Sequence, residues 1–202
     1  MHAIFVSMPD DPIDRILAAA YACFTRHGVR RTTMDDIATA AGMSRPAVYQ
    51  YVRNKDDAFR RLGTRLFDGA VTQAEAAAAR DAPLAERVHD VLATKLELSL
   101  QLRHDSPHAA ELLDESARMS GDLVEGFTAA IRHLLTTMIT AAARGREIDL
   151  RGAGADEIAD IALALNSGLE AEIIELVDPE RPRRRLRLAT ELLVGGLSAG
   201  AR

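Results

Sequence analysis

Tryptophan is absent from the 202-residue chain, aromatic residues make up only 4% of it, and cysteine occurs once, at Cys23. A single cysteine excludes an intramolecular disulfide framework. No Cys/His spacing follows a zinc-binding pattern either, so a reducing cytoplasm is the expected compartment. No run of about 18 uncharged apolar residues occurs, which leaves no candidate for a membrane-spanning helix. The stretch from Met1 to Met8 lacks a basic flank and is too short for the apolar part of a secretory signal, so no export is expected. Phosphate-binding glycine loops, nucleophile elbows and paired catalytic carboxylates are also missing, and neither enzyme activity nor a cofactor is expected.

What is present favours helix. Hydrophobic residues are 48% of the chain and charged residues 27%, enough for a substantial core. Alanine and leucine abound, and long stretches carry no glycine or proline, so the expected fold class is all-α. The net charge of −5 speaks against nucleic acid if taken whole. Its distribution reverses that impression. From Arg26 to Arg61 there are eight basic residues (Arg26, Arg30, Arg31, Arg45, Arg53, Lys55, Arg60, Arg61) against four acidic ones (Asp35, Asp36, Asp56, Asp57). That segment carries +4 and the remainder −9, so one end of the molecule attracts a polyanion and the other repels it.

Apolar periodicity and capping residues predict about nine helices and no strand. The first covers about 11–27, with a stripe of Ile13, Ile16, Leu17, Ala20, Tyr21 and Phe24 and a stop at Gly28. Two short helices near 34–41 and 45–52 follow, then a longer one from 55 toward 80. Further helices are expected near 84–103, 107–118, 121–144, 154–177 and 182–198. Short breaks at Ser106-Pro107, Gly121-Asp122 and Asp178-Pro179 imply antiparallel neighbours and a bundle.

Residues 32–55 are the informative segment. Thr33 followed by Asp36 reads as a capping box at a helix start. Ile37, Ala38 and Ala41 give one apolar face, and Gly42 stands where the chain must leave the helix with positive φ. Met43 fills the gap, Ser44 caps the next helix, and Pro46 falls in its first turn, where a missing N–H does no harm. With Val48 and Val52 packed inward, Arg45, Ala47, Tyr49, Gln50 and Tyr51 point out. Such a set suits a helix in the major groove, where Arg reads guanine, Gln reads adenine and Tyr hydroxyls reach phosphates. Asn54 caps the following helix with Asp57 completing a second box, so Lys55 and the free N–H groups there can hold a phosphate.

The helix start at Thr33, Ile37-Ala38, Ala41-Gly42-Met43-Ser44, Pro46, Val48-Tyr49 and Asn54-Lys55 resemble the TetR family of transcriptional regulators over about residues 11–60. The resemblance implies that Thr33, Ser44, Arg45, Tyr49, Tyr51 and Lys55 contact phosphates or bases. It implies that Pro46, Ala47 and Gln50 face base edges or thymine methyls. Met34 stands where some members carry Arg, so no base contact is expected there. Residues 1–55 are then a helix-turn-helix DNA-binding domain and 56–202 a helical regulatory and dimerisation domain. The implied function is a homodimeric repressor released from palindromic operator DNA by a small-molecule effector. An activator or ligand-independent DNA-binding protein is the alternative, and a helical enzyme or scaffold with an accidental helix-turn-helix a third reading.

The rest of the chain is read more plainly. Ile158, Ile161, Leu165, Leu169, Ile173 and Leu176 form one apolar stripe, and Leu186, Ala189, Leu192, Leu193 and Leu197 another. By the resemblance these last two helices pair with their copies in a second subunit, through Ile161, Leu165, Leu169, Ile173, Leu192, Leu193 and Leu197. Effector candidates on the apolar faces of the middle helices are Leu96, Leu100, Met119, Phe127, Leu134, Met138 and Asn166. For Asn166 an inter-subunit hydrogen bond is an equal explanation. The run Arg181, Arg183, Arg184, Arg185 and Arg187 reads as a solvated helix start, with Glu170, Glu172 and Glu175 as available partners. Glu86 and His89 have the spacing of half a di-iron site, but no second pair exists, and no metal is expected.

Overall fold

The computed structural model describes residues 11–173 and 178–198, and among these the chain is helical without a strand. In order the helices are α1 (Pro12–His27), α2 (Met34–Ala40), α3 (Arg45–Val48), α4 (Lys55–Ala78), α5 (Leu84–Asp105), α6 (Ala109–Arg144), α7 (Ala155–Ala171) and α8 (Glu180–Leu197). An isolated antiparallel bridge joins Ile148 to Ser198. Leu176 and Glu175 lie outside the described residues, as do Met1 to Met8.

Three boundaries differ from the sequence reading, one being that of α7, which ends at Ala171 rather than near 177. The helices expected at 107–118 and 121–144 are one element, α6, broken at Ser120, whose φ of −141° and ψ of 30° leave the helical region. Gly121-Asp122 therefore marks a kink rather than a loop. α3 ends at Val48 instead of near 52. Beyond it the N–H groups of Gln50 and Tyr51 donate to the carbonyls three residues back, Ala47 at 3.2 Å and Val48 at 3.0 Å, the tighter pattern that finishes many helices.

The chain forms two compact units that interleave in sequence. One holds the described residues up to Gly69 together with Leu102–Glu125, and the other Ala70–Gln101 with the described residues from Gly126 on. Compactness thus does not follow the single cut expected after residue 55: segments of α5 and α6 join the helix-turn-helix end, and α4, α5 and α6 contribute to both units.

In the first unit α1 starts at Asp11, whose carboxylate accepts the Ile13 N–H at 3.0 Å, with Pro12 in the first turn. It stops at Gly28, whose φ of 78° few other residues tolerate. Its inner face of Ile16, Leu17, Ala20, Cys23 and Phe24 packs with Ile37, Val48, Val52, Leu62 and Leu112. Phe24 and Phe59 meet edge to face, 5.5 Å between ring centres. Burial pushes the Cys23 thiol up, away from the reactive thiolate. The buried Asp14 carboxylate receives Arg65 Nη2 at 2.7 and 2.9 Å, and Tyr21 donates its hydroxyl to Asp105 at 2.6 Å.

The second unit is centred on fully buried Leu84, Leu92, Leu96, Ile131, Leu135 and Leu186. Arg132 grips Asp160 with bonds of 2.6 and 2.8 Å, and Lys95 pairs with Glu170. The arginine run at the start of α8 is largely neutralised: Arg183 pairs with Glu97 and Glu180, Arg184 with Asp178, and Arg185 with Glu172. No helix among the described residues is long and apolar enough to cross a membrane.

Candidate nucleic-acid interface

Local hydrogen bonds build the α2-turn-α3 unit from adjacent residues. Thr33 Oγ1 accepts the Asp36 N–H at 3.2 Å, while the Asp36 carboxylate accepts the Thr33 N–H at 2.8 Å and its hydroxyl at 2.7 Å. Those donors, the hydroxyl first, hold the Asp36 carboxyl below its ordinary range. The chain leaves α2 through Gly42 at φ 64°, and Met43 N–H returns to Ala38 O at 3.0 Å. Ser44 then caps α3 by accepting from Ala47 N–H at 3.4 Å. Ile37, Ala38, Val48 and Val52 are buried beneath, so the short helix is seated by its inner face. Met34 is buried with them and is not available to a base.

Over that core, Thr33, Ser44, Arg45, Pro46, Tyr49, Gln50 and Tyr51 are exposed, and Ala47 is half-buried. Tyr49 and Tyr51 keep 41% and 37% of their surface open, which packing alone does not require of large rings. Arg45 donates from Nη1 to Asp35 at 3.1 Å and from Nη2 to the Tyr49 hydroxyl at 3.4 Å. Its guanidinium also lies 5.5 Å from the centre of the Tyr49 ring. The segment therefore presents hydrogen-bond donors and acceptors with two aromatic rings on one rigid support.

Lys55 is half-buried, and Nζ donates to Arg30 O at 3.3 Å. The second capping box is shifted by one residue: Asn54 accepts the Asp57 N–H at 2.8 Å, but the Asp57 carboxylate reaches the N–H of Arg53 at 2.9 Å, not that of Asn54. Partial burial would raise Asp57, but the Arg53 N–H and Arg61 outweigh it and bring it below its ordinary value. The loop before α2 is also fixed from a distance. Glu111 of α6 accepts the Arg30 N–H at 3.1 Å, and Glu115, with little exposure, accepts Arg30 Nε at 3.2 Å and Arg118 Nε at 2.8 Å. Arg118 first, then Arg30, holds Glu115 below the usual carboxylate range. Sequence reasoning missed this latch, since its partners stand more than 80 residues apart.

The remaining candidate residues distribute less simply. Leu96, Leu100, Phe127, Met138 and Asn166 are buried in the second unit and Leu134 is half-buried there. Met119 does not join them; it packs against the core of the first unit. Asn166 is fully buried within its own chain, so its Oδ1, which has no hydrogen-bond partner, does not face a second subunit as one reading had it. Of the expected dimer residues, Ile161, Leu165 and Leu192 are exposed and Leu169 and Leu193 half-buried. Ile173 and Leu197 are buried in the chain's own core and cannot be offered to a partner. Leu188, one turn before Leu192, is 56% exposed as well and was not among the expected residues; the i, i+4 spacing was the available signal.

Comparison with known proteins agrees with this geometry. Residues 16–62, from the first core positions of α1 to Leu62 of α4, match the family described as bacterial regulatory proteins, tetR family. An HTH-type transcriptional repressor of Mycobacterium tuberculosis is 31% identical over 110 residues, 52% of this chain and 59% of that protein. The chain thus matches a little over half of that relative's length. A structure of SmeT, the repressor of the Stenotrophomonas maltophilia multidrug efflux pump SmeDEF, has the same fold, with a TM-score of 0.70 at 22% identity over 96% of this chain and 93% of that one. A SmeT–triclosan complex superposes with a TM-score of 0.70 at 22% identity, over 94% of this chain and 93% of that one. Residues 16–62, and the helix-turn-helix they build, are thus similar to the N-terminal segment of the tetR family of bacterial regulatory proteins, and the chain as a whole shares the fold of SmeT.

Proposed function

We propose that the protein is a homodimeric transcriptional repressor that binds palindromic operator DNA and is released by a small-molecule effector. The observation that carries this reading is the exposed set Arg45, Tyr49, Gln50 and Tyr51 over the buried anchors Val48 and Val52. A helix held that way enters a major groove side chains first, with Thr33, Ser44, Tyr51 and Lys55 on phosphates and Pro46, Ala47 and Gln50 toward base edges. Lys55 exchanges its bond to Arg30 O for a phosphate oxygen.

One short helix-turn-helix binds DNA weakly, so two are needed. The exposed apolar residues Ile161 and Leu165 on α7 and Leu188 and Leu192 on α8 supply a face for a second copy. The effector is assigned to the interior of the second unit, among Leu96, Leu100, Phe127, Leu134, Met138 and Asn166. There the unpartnered Asn166 Oδ1 would accept a hydrogen bond from an otherwise apolar ligand. SmeT, which shares the fold, has been seen with triclosan. Ligand binding shifts α4 and with it the spacing of the two readers; a coupling of about 3 kcal/mol lowers operator affinity roughly 150-fold.

Sequencing genomic fragments retained by the purified protein, followed by gel shifts with a panel of small apolar molecules, tests the reading. Recovery of palindromic sites that one compound class releases is the expected result. Tight sites that no compound affects would favour a ligand-independent regulator, and no retention at low salt would end the DNA-binding reading.

A further inference from the structure

From the exposed pairing of α2 with α3 we infer that Asp35 is a specificity-determining positioning residue: it holds the Arg45 guanidinium to read a guanine in each operator half-site. The inference rests on the DNA-binding reading above and goes beyond it by naming the base read and the residue that makes the reading selective.

An arginine side chain is long and flexible, and ordering it on a base edge costs conformational entropy. Arg45 is ordered beforehand by contacts on different sides: Asp35 Oδ2 at 3.1 Å, the Tyr49 hydroxyl at 3.4 Å, and the face of the Tyr49 ring. The two hydrogen bonds use two of the five N–H donors of a guanidinium, so a guanine edge, with N7 and O6 side by side, can still be engaged. Folding does not explain the pair. The side chains of Arg45 and Asp35 are 56% and 64% exposed, and an ion pair that open adds little stability. Ile37 and Val48 beneath already join the two helices.

The sign of Asp35 makes the same point. A carboxylate beside the reading helix is repelled by phosphates and weakens binding to DNA at large. An acid placed there lowers affinity unless it returns selectivity. It does so by fixing the fork of Arg45, whose paired N–H donors match the two side-by-side acceptors of guanine and of no other base. In this it differs from Asp36 and Asp57, whose carboxylates are occupied with capping N–H groups.

Selection of random duplexes by the full-length protein, with Asp35→Ala, Asp35→Asn and Arg45→Ala compared, tests the inference. The wild type is expected to select one guanine per half-site over other bases by roughly 5- to 150-fold, the range a bidentate Arg–guanine contact supports. Arg45→Ala removes that preference. Asp35→Ala reduces it at that position alone, with unchanged thermal midpoint and equal or tighter binding to unrelated DNA, and Asp35→Asn retains part of it. Unaltered base preference in Asp35→Ala, or an equal loss at every position, overturns the assignment while leaving the regulator reading intact. Failure of the wild type to bind any duplex overturns both.

Discussion

Gly28→Ala is expected to destabilise the helix-turn-helix unit well beyond what a left-handed glycine usually costs. Gly28 has φ 78° and ψ 161°, a region almost confined to glycine, and alanine there costs about 1–3 kcal/mol. A Cβ at that position would also stand 2.5 Å from Glu111 Oε2 and 3.0 Å from Oε1. Glu111 would have to withdraw and give up its bond to the Arg30 N–H, a further ~0.5–1.5 kcal/mol. The total, roughly 2–4 kcal/mol, corresponds to a fall in thermal midpoint of about 4–16 °C for a chain of this size. Gly42→Ala is the internal control. Its φ is 64° and its Cβ meets nothing within 4 Å, so only the backbone cost of about 1–2 kcal/mol applies. Denaturant unfolding followed by circular dichroism measures both, with Glu111→Ala and the Gly28→Ala/Glu111→Ala double variant completing a cycle. The steric part predicts that the double variant is less destabilised than the sum of the singles by about 1 kcal/mol. Equal costs for Gly28→Ala and Gly42→Ala, or strict additivity in the cycle, would refute the seating of Glu111 against this loop.

Lys55→Ala should weaken operator binding and lower the slope of log affinity against log salt by about one, measured by fluorescence anisotropy; an unchanged slope would place Lys55 off the phosphates. Asp122 is held at about 2, chiefly by its hydrogen bond from Arg60 Nη1 at 2.8 Å, against an ordinary 3.8. Because the unfolded chain takes up that proton first, the stabilisation is complete above pH 3.8 and is lost as the pH falls toward 2. Asp122→Asn should therefore show a smaller acid-induced loss across that window in urea titrations than the wild type does. Leu192, 68% exposed, should tolerate glutamate in the folded subunit; the wild type is expected to sediment as a dimer and Leu188→Glu/Leu192→Glu as a monomer.

The parts of the fold visible in the sequence are those fixed by neighbours in the chain. The Thr33–Asp36 box, the Gly42 turn and the Ser44 cap rest on bonds spanning five residues or fewer, and the residue types state them directly. The limit of such reasoning shows at Asp57, whose carboxylate turns to Arg53 rather than Asn54, and at α3, which tightens after Val48. Features set by packing were not legible. Glu111 and Glu115 reach Arg30 only because α6 lies against that loop, and Asp35 meets Arg45 only through the angle of the turn between their helices. Periodicity put Ile173 and Leu197 on the same stripes as Leu165 and Leu192, but a stripe wide enough to cover a core and an exposed face does not say which residue serves which. The Ser120 break likewise looks, in sequence, like any other end of a helix.

Hydroxyl-radical footprinting of the purified protein on a selected genomic site tests the central claim most directly. Two symmetric protected patches, centred about 10 base pairs or a multiple of that apart and lost together in Tyr49→Ala, are the result expected of two copies of α3 in major grooves. A single patch, uniform protection, or a footprint indifferent to Tyr49 would contradict it.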